Sequence, residues 1–223
     1  MRAFPLPLVE GTLVRRYKRF LADVALPEGR VTVHCANPGA MTGCAEPGST
    51  VLLSKSANPK RKLAYTWELV RVKRTWVCVD TAVANRVVGS WLETGQLLPG
   101  NGPARREVRV LDSRFDFALG ERCIVEVKSV TLAAGRAGAF PDAVTKRGRR
   151  HLLALAGMRN MRRVLVYFVA RGDVTSVRPA DEIDPAYGEA LREAVQAGVE
   201  VLAVRGRFTP RGVHRGPLLE VIL

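Results

Sequence analysis

Residues 113–130 constrain the fold more than any other stretch, because they carry two consecutive period-two patterns that a β-hairpin satisfies at once. In the first, Phe115, Phe117 and Leu119 alternate with Arg114 and Asp116. In the second, Val125 and Val127 alternate with Glu126 and Lys128. Each strand sets charge on one face and apolar bulk on the other. Loop parity decides whether the charges meet. A two-residue loop pairs Asp116 with Val125 and sends Glu126 to the opposite face; a three-residue loop, 120–122, pairs Asp116 with Glu126. Only the odd loop also puts Phe115, Phe117, Val125 and Val127 on one core face, so the expected register faces the two acids across the hairpin.

Two carboxylates a few ångströms apart repel, and a cation between them relieves the repulsion. Oxygen ligands with room for water favour Mg²⁺ or Mn²⁺ over zinc. A metal held this way polarises a phosphodiester and acidifies a bound water, while a nearby lysine stabilises developing charge. Asp116 and Glu126 are then the metal ligands, the Val127 carbonyl adds a further one, and Lys128 is catalytic. The alternative is an exposed salt-bridge ladder across a hairpin, worth little energetically. A D(x)nExK match of this length also arises by chance.

Upstream, strand candidates at 20–26, 31–35, 50–54, 66–72 and 76–80 are separated by turns at Pro27, Glu28 and Gly29 and at Pro47 and Gly48. Five short strands in this length fit a partly open barrel of OB type, a common platform for single-stranded nucleic acid. Residues 85–98 read as a helix, with Val87, Val88, Trp91 and Leu92 at helical spacing, stopped by the Pro/Gly stretch 99–103. Gly100 and Gly102 make no dinucleotide loop, since Arg105 stands where a third glycine belongs. Beyond them the pattern changes: strands at 107–111, 113–119 and 122–130, a helix at 142–158, a strand at 164–170, a helix at 184–197 and a strand at 199–204. The Gly/Ala-rich stretch 131–139 reads as a mobile loop. The expected class is α/β, or α+β overall: a small β-barrel over 1–82 followed, over 83–223, by an α/β domain whose mixed sheet is flanked by helices, with 83–104 as helix and linker.

The formal net charge of +14 favours a polyanionic partner through counterion release, although a solvated basic surface has the same composition. The charge is clustered. Residues 55–74 hold seven basic side chains against Glu68 alone, and 142–163 hold seven against Asp142 alone. No apolar run approaches the roughly 18 residues of a membrane helix, and Pro5 and Pro7 interrupt the N-terminal stretch where a signal peptide would be apolar. A soluble, cytoplasmic protein with no membrane partner is expected. Cys35, Cys44, Cys78 and Cys123 lack metal-site spacing and read as reduced, buried thiols; a Cys35–Cys44 disulfide would need an oxidising compartment.

Several strings resemble the sugar fermentation stimulation protein A family over essentially the whole chain. They are Arg16, Tyr17, Lys18, Arg19 and Phe20 with Leu21, Ala22 and Asp23; His34, Cys35, Ala36, Asn37, Pro38, Gly39, Ala40 and Met41; Ser113 to Phe117; Glu126, Val127, Lys128, Ser129 and Val130; and Phe140, Pro141, Asp142, Ala143, Val144 and Thr145 with Arg147, Gly148, His151 and Leu152 downstream. Pro38 stands where threonine is commoner. The resemblance implies an OB-like domain joined to a PD-(D/E)xK nuclease-like domain, DNA binding, a link to regulation of sugar, chiefly maltose, metabolism, and Glu107 as an extra acid near the metal.

Arg147 and His151 lie four apart on the helix that follows, so they share a face, with Arg147 as a phosphate clamp in the catalytic set. Candidate nucleic-acid contacts are Arg16, Lys18, Arg19, Lys60, Arg61, Lys62, Arg114, Arg149, Arg150 and His151. Tyr17, Phe20, Tyr65 and Trp67 are candidate stacking platforms, although most aromatics in so small a barrel belong to its core. His34 and Asn37 form a second polar pocket or stabilise a turn. Two functions fit: a DNA-binding regulator that keeps a Mg²⁺ or Mn²⁺ site, and a Mg²⁺-dependent nuclease. Single-stranded or duplex DNA, and a single chain or a homodimer, both stay open.

Overall fold

The protein was analysed as a computed structural model that describes residues 1, 3–110 and 112–223. Strands β1 (Leu8–Tyr17), β2 (Leu21–Leu26), β3 (Gly29–His34), β4 (Thr50–Lys55) and β5 (Tyr65–Val72) lie in the order β3-β2-β1-β4-β5, and a β3–β5 pairing at His34 and Thr66 closes them into a five-stranded OB barrel. Its interior is Leu13, Val24, Val33, Leu53, Trp67 and Val70. The barrel is tight. A Cβ on Gly11 would stand 2.5 Å from Val24 Cγ1 and 2.8 Å from Leu26 Cδ2, so β1 and β2 approach only because that residue is glycine.

β1 is the strand that the sequence pattern hides. Gly11 interrupts its apolar positions, and the ladder slips between Leu13 and Arg15, which breaks the period-two signal. The candidate strand at 76–80 is not the fifth barrel strand. It is β6 (Thr75–Cys78), which adds to β5 outside the closed barrel. The Cys78 amide donates to Ala170 O at 2.9 Å, tying the barrel to the second domain. Two residues later Asp80 caps α1 (Thr81–Glu93) by accepting from Ala82 N at 2.8 Å. The helix therefore starts before residue 85 and stops at Glu93, short of 98, where the chain turns through Gly95 at φ 68°.

The second domain is a nine-stranded mixed sheet in the order β10-β11-β13-β15-β14-β12-β9-β8-β7. Its strands are β7 (Ala104–Val110), β8 (Ser113–Leu119), β9 (Cys123–Val130), β10 (Leu132–Ala134), β11 (Ala137–Phe140), β12 (Arg162–Val169), β13 (Ser176–Pro179), β14 (Glu200–Thr209) and β15 (Gly212–Val221), with helices α2 (Lys146–Gly157) and α3 (Pro185–Gln196). The strand expected to reach residue 111 ends within the described residues at Val110; Leu111 lies outside them. β12 runs parallel to both β9 and β14, which accounts for its unbroken apolar run. One sheet face packs on α1 and on Phe4, Leu52 and Leu69 of the N-terminal part; the other packs on α2 and α3 through Leu152, Leu155, Tyr187 and Leu191.

Residues 131–139 are not a mobile loop. They form the β10–β11 hairpin around Gly135 at φ 64°, and β11 pairs in parallel with β13. Small side chains there reflect close packing, with Gly138 against Val130 and Val174. No helix among the described residues is long and apolar enough to cross a membrane. All four cysteines are free and buried.

Candidate metal centre at the domain junction

The hairpin pairs Leu119 with Cys123, Ala118 with Ile124 and Phe117 with Val125, so its loop has the odd parity that brings Asp116 and Glu126 to the same level. The ladder then opens at Asp116. Its Oδ2 accepts from the Val127 amide at 2.8 Å and its Oδ1 accepts from Asn85 Nδ2, on α1, at 2.6 Å. A side-chain carboxylate here takes the place of a backbone acceptor. On the other flank Glu107, between the paired Arg106 and Val108, adopts φ 54°.

This irregularity corrects one expectation. Phe117, Val125 and Val127 share the core on the α1 face, but Phe115 turns to the α2/α3 face, where its ring centroid is 5.6 Å from that of His151. Strict alternation fails because Asp116 inserts its carboxylate between the strands.

Glu126 is held from the other side. Its Oε1 accepts from Lys128 Nζ at 2.6 Å and lies 2.5 Å from His151 Nδ1, which therefore carries the proton in that bond. Its Oε2 is buried and has no hydrogen-bond partner among the described residues. Burial pushes the Glu126 carboxyl upward, but the bonds and charges of His151 and Lys128 outweigh it and leave the group below its ordinary value. Asp116 goes the other way. Burial, reinforced by the Glu126 charge, pushes it up to about 6 against the Val127 amide, Lys128 and Asn85.

Both acids line one cavity of about 370 Å³ together with Val127, Lys128 and Arg147. The barrel closes its far side with Arg19, Asn37 and Gly39. Two carboxylates, one with an orphaned buried oxygen, suit a hard cation completed by the Val127 carbonyl and water. No cluster of three His, Cys, Asp or Glu side chains able to hold a metal occurs among the described residues, so protein side chains supply only the acid pair.

Other expected residues fall elsewhere. Glu107 does not line the cavity; it is exposed and pairs with the equally exposed Arg114 at 2.9 Å, because the local backbone twist turns it outward. His151 is 3% exposed and spends Nδ1 on Glu126, which places it against the acid and away from the surface where a nucleic-acid contact was expected. Arg16 also turns inward, donating to the carbonyls of Arg19, Asn37, Gly39 and Ala40 at 2.7–3.2 Å, and so builds the loop at 37–40. Asn37 belongs to the acid-pair cavity and bonds Val79 O at 2.9 Å, whereas His34 does not line that cavity; the two do not form a second pocket. Trp67 is fully buried in the barrel and offers no stacking surface.

Lys18, Arg19, Lys60, Arg61, Lys62, Arg149 and Arg150 are exposed, although Arg61 also donates to Thr66 Oγ1 at 2.8 Å. Two residues of the site had no role assigned from the sequence. Asn85 sits on a helix far from the hairpin. Asp142 reaches across the junction to accept from the Met41 amide at 3.0 Å. Both contacts join distant segments, which no local spacing reports.

Comparison with known proteins agrees with this architecture. The family described as "Sugar fermentation stimulation protein RE domain" matches residues 82–212, and "SfsA N-terminal OB domain" matches 14–79. A sugar fermentation stimulation protein homolog of Geobacter metallireducens is 53% identical over 98% of this chain and 99% of its own, and one of Thioalkalivibrio sulfidiphilus is 52% identical over 97% and 96%. The structure of Pyrococcus furiosus SfsA in complex with Ca²⁺ superposes over the full length of both chains with a TM-score of 0.91 at 26% identity. The chain therefore belongs to the sugar fermentation stimulation protein family, with its N-terminal OB domain and restriction-endonuclease-like domain.

Proposed function

We propose that this protein binds DNA and holds a divalent cation, Mg²⁺ or Mn²⁺, between Asp116 and Glu126, in the setting of sugar metabolism that the family name indicates. The observation that carries this reading is the buried, unpartnered Glu126 Oε2 beside a second carboxylate in the same cavity. A buried carboxylate oxygen left without a partner is costly, and a cation beside the second carboxylate is a partner this cavity has room for. The Ca²⁺ in the Pyrococcus furiosus relative supports it. A cation bound here supplies a polarised phosphoryl oxygen and an acidified water. The chain does the rest: Asn85 and the Val127 amide fix Asp116, His151 fixes Glu126, and Arg147 holds phosphate at the rim.

A second reading, phosphodiester hydrolysis, is favoured by Lys128, whose ammonium is held against Glu126 beside the cation position. It is suited to stabilise the attacking water or the developing phosphorane charge. Calorimetric titration with Mn²⁺ and Ca²⁺ and incubation with labelled DNA in Mg²⁺ or Mn²⁺, each beside Asp116→Ala, test both. Cation affinity is expected to fall at least about 100-fold in the variant, beyond what loss of a mere supporting contact causes. DNA affinity is expected to fall steeply with salt, with a log–log slope near −0.7 to −0.9 per phosphate contacted. A wild-type protein that takes up no cation refutes the proposal. Cleavage that disappears in Asp116→Ala establishes the hydrolase; DNA binding without cleavage establishes the binding protein.

A further inference from the structure

The turn between β1 and β2 places an exposed aromatic ring, Phe20, next to Arg19, which lines the acid-pair cavity. Lys18 and Arg19 are both left-handed, at φ 47° and 64°, a conformation that costs energy in non-glycine residues. It is held by Phe20 N donating to Lys18 O at 2.6 Å, by Arg16 donating to Arg19 O at 2.7 Å and by Cys35 N donating to Phe20 O at 2.9 Å. The result is an outward Phe20, 43% exposed, with the Arg19 guanidinium 6.0 Å from its ring centroid. Arg19 itself lines the cavity.

The wall next to this turn is rigid. Asn37 is tied to Val79, Gly39 N donates to Asn37 Oδ1 at 2.8 Å, and Asp142 accepts from Met41 across the junction. Gly39 sits so close to the Asp142 carboxylate that a Cβ has no room. The barrel loop and the loop after β11 are therefore locked together over the acid pair. The cleft, about 370 Å³ and open to solvent on one side, lies near the lower end of the ~300–1,000 Å³ of small-ligand sites. That volume is on the scale of a single nucleotide.

We propose that the DNA reaching Asp116 and Glu126 is unpaired, with one base stacked on Phe20, its neighbouring phosphate on Arg19 and the next nucleotide in the cavity. This rests on the function proposed above and names its substrate: a single strand, an overhang or a flap. An aromatic face reads any base, and an arginine beside it reads the backbone, which together make a sequence-tolerant single-strand contact.

The test is fluorescence anisotropy with labelled oligonucleotides in Ca²⁺: a single strand, a blunt duplex and a duplex with a single-stranded overhang. The single strand and the overhang are expected to bind at least tenfold more tightly than the blunt duplex. Phe20→Ala is expected to weaken the single strand about fivefold or more, while Phe20→Tyr retains affinity and the melting temperature of all three proteins stays the same. Arg19→Ala is expected to weaken it further and to reduce its salt slope by about one contact. A blunt duplex that binds as tightly as the single strand, or a Phe20→Ala protein with unchanged affinity, overturns the inference and leaves DNA binding standing. Failure of all three oligonucleotides to bind overturns the proposed function as well.

Discussion

Glu126 in the second domain and Glu68 in the barrel are both 3% exposed, and each has a buried Oε2 with no partner among the described residues. Burial pushes both carboxyls upward and is the largest influence on each. Their surroundings then separate them. Glu68 receives one hydrogen bond, from Ser54 Oγ at 2.6 Å, and the Asp80 charge pushes it the same way as burial, to about 7. Glu126 receives Lys128 and His151 and ends below its ordinary value. Burial alone makes a neutral acid; donors built around it make an anion. Glu68 shares its cavity with Asp80 beside the guanidinium groups of Arg61 and Arg86, whereas Glu126 shares its cavity with Asp116, a carboxyl that burial has raised, and the proposed cation site rests on that second pairing.

The largest effect should come from breaking the cation that keeps Glu126 charged. Lys128→Met leaves a buried carboxylate with only His151, and removing one member of a buried ion pair costs about 3–5 kcal/mol. Urea unfolding of the variant, without added divalent cation, measures it. A loss below about 1 kcal/mol would place Glu126 in the same class as Glu68 and end the comparison.

Glu68→Gln tests the other half. The folded-state value of about 7 lies above the 4.5 expected of the free side chain, so the folded protein binds this proton more tightly than the unfolded chain does. Its contribution is fully present below pH 4.5, declines as pH rises toward 7 and is gone above it. Wild type should lose on the order of 3 kcal/mol relative to Glu68→Gln between pH 4.5 and 8, measured by denaturant unfolding across that range. Parallel pH profiles for the two proteins would show that Glu68 is solvated and that burial does not govern it.

The contrast also marks what a sequence can carry. The odd hairpin register was legible, because side-chain parity is a local property, and it holds at Phe117 and Val125. Phe115 was not, since one inserted carboxylate at Asp116 breaks the parity it was read from. Helical spacing correctly put Arg147 and His151 on one helix, but spacing does not report depth: Arg147 is exposed at the cavity and His151 is buried under it. The barrel's longest strand, β1, was lost to Gly11 and a bulge, whereas β2 to β5 were legible as short apolar runs between Gly and Pro turns. Asn85 and Asp142 act across segments that only folding brings together.

The smallest expected effect separates the two donors of Glu126 from one another. Lys128 carries charge, but His151 approaches from α2, is almost fully enclosed and fixes the carboxylate's direction through Nδ1. Residues that orient a metal ligand without touching the metal typically contribute 10–100-fold to affinity, or about 1.4–2.7 kcal/mol. His151→Leu should weaken Ca²⁺ or Mn²⁺ binding by that factor in a calorimetric titration while Lys128 still holds the charge. His151→Asn should recover most of the loss, because its amide can donate from near the position of Nδ1. Equal weakening by leucine and asparagine would mean that packing against Phe115 matters and the donated hydrogen bond does not. No weakening by either would assign the charge of Glu126 to Lys128 alone.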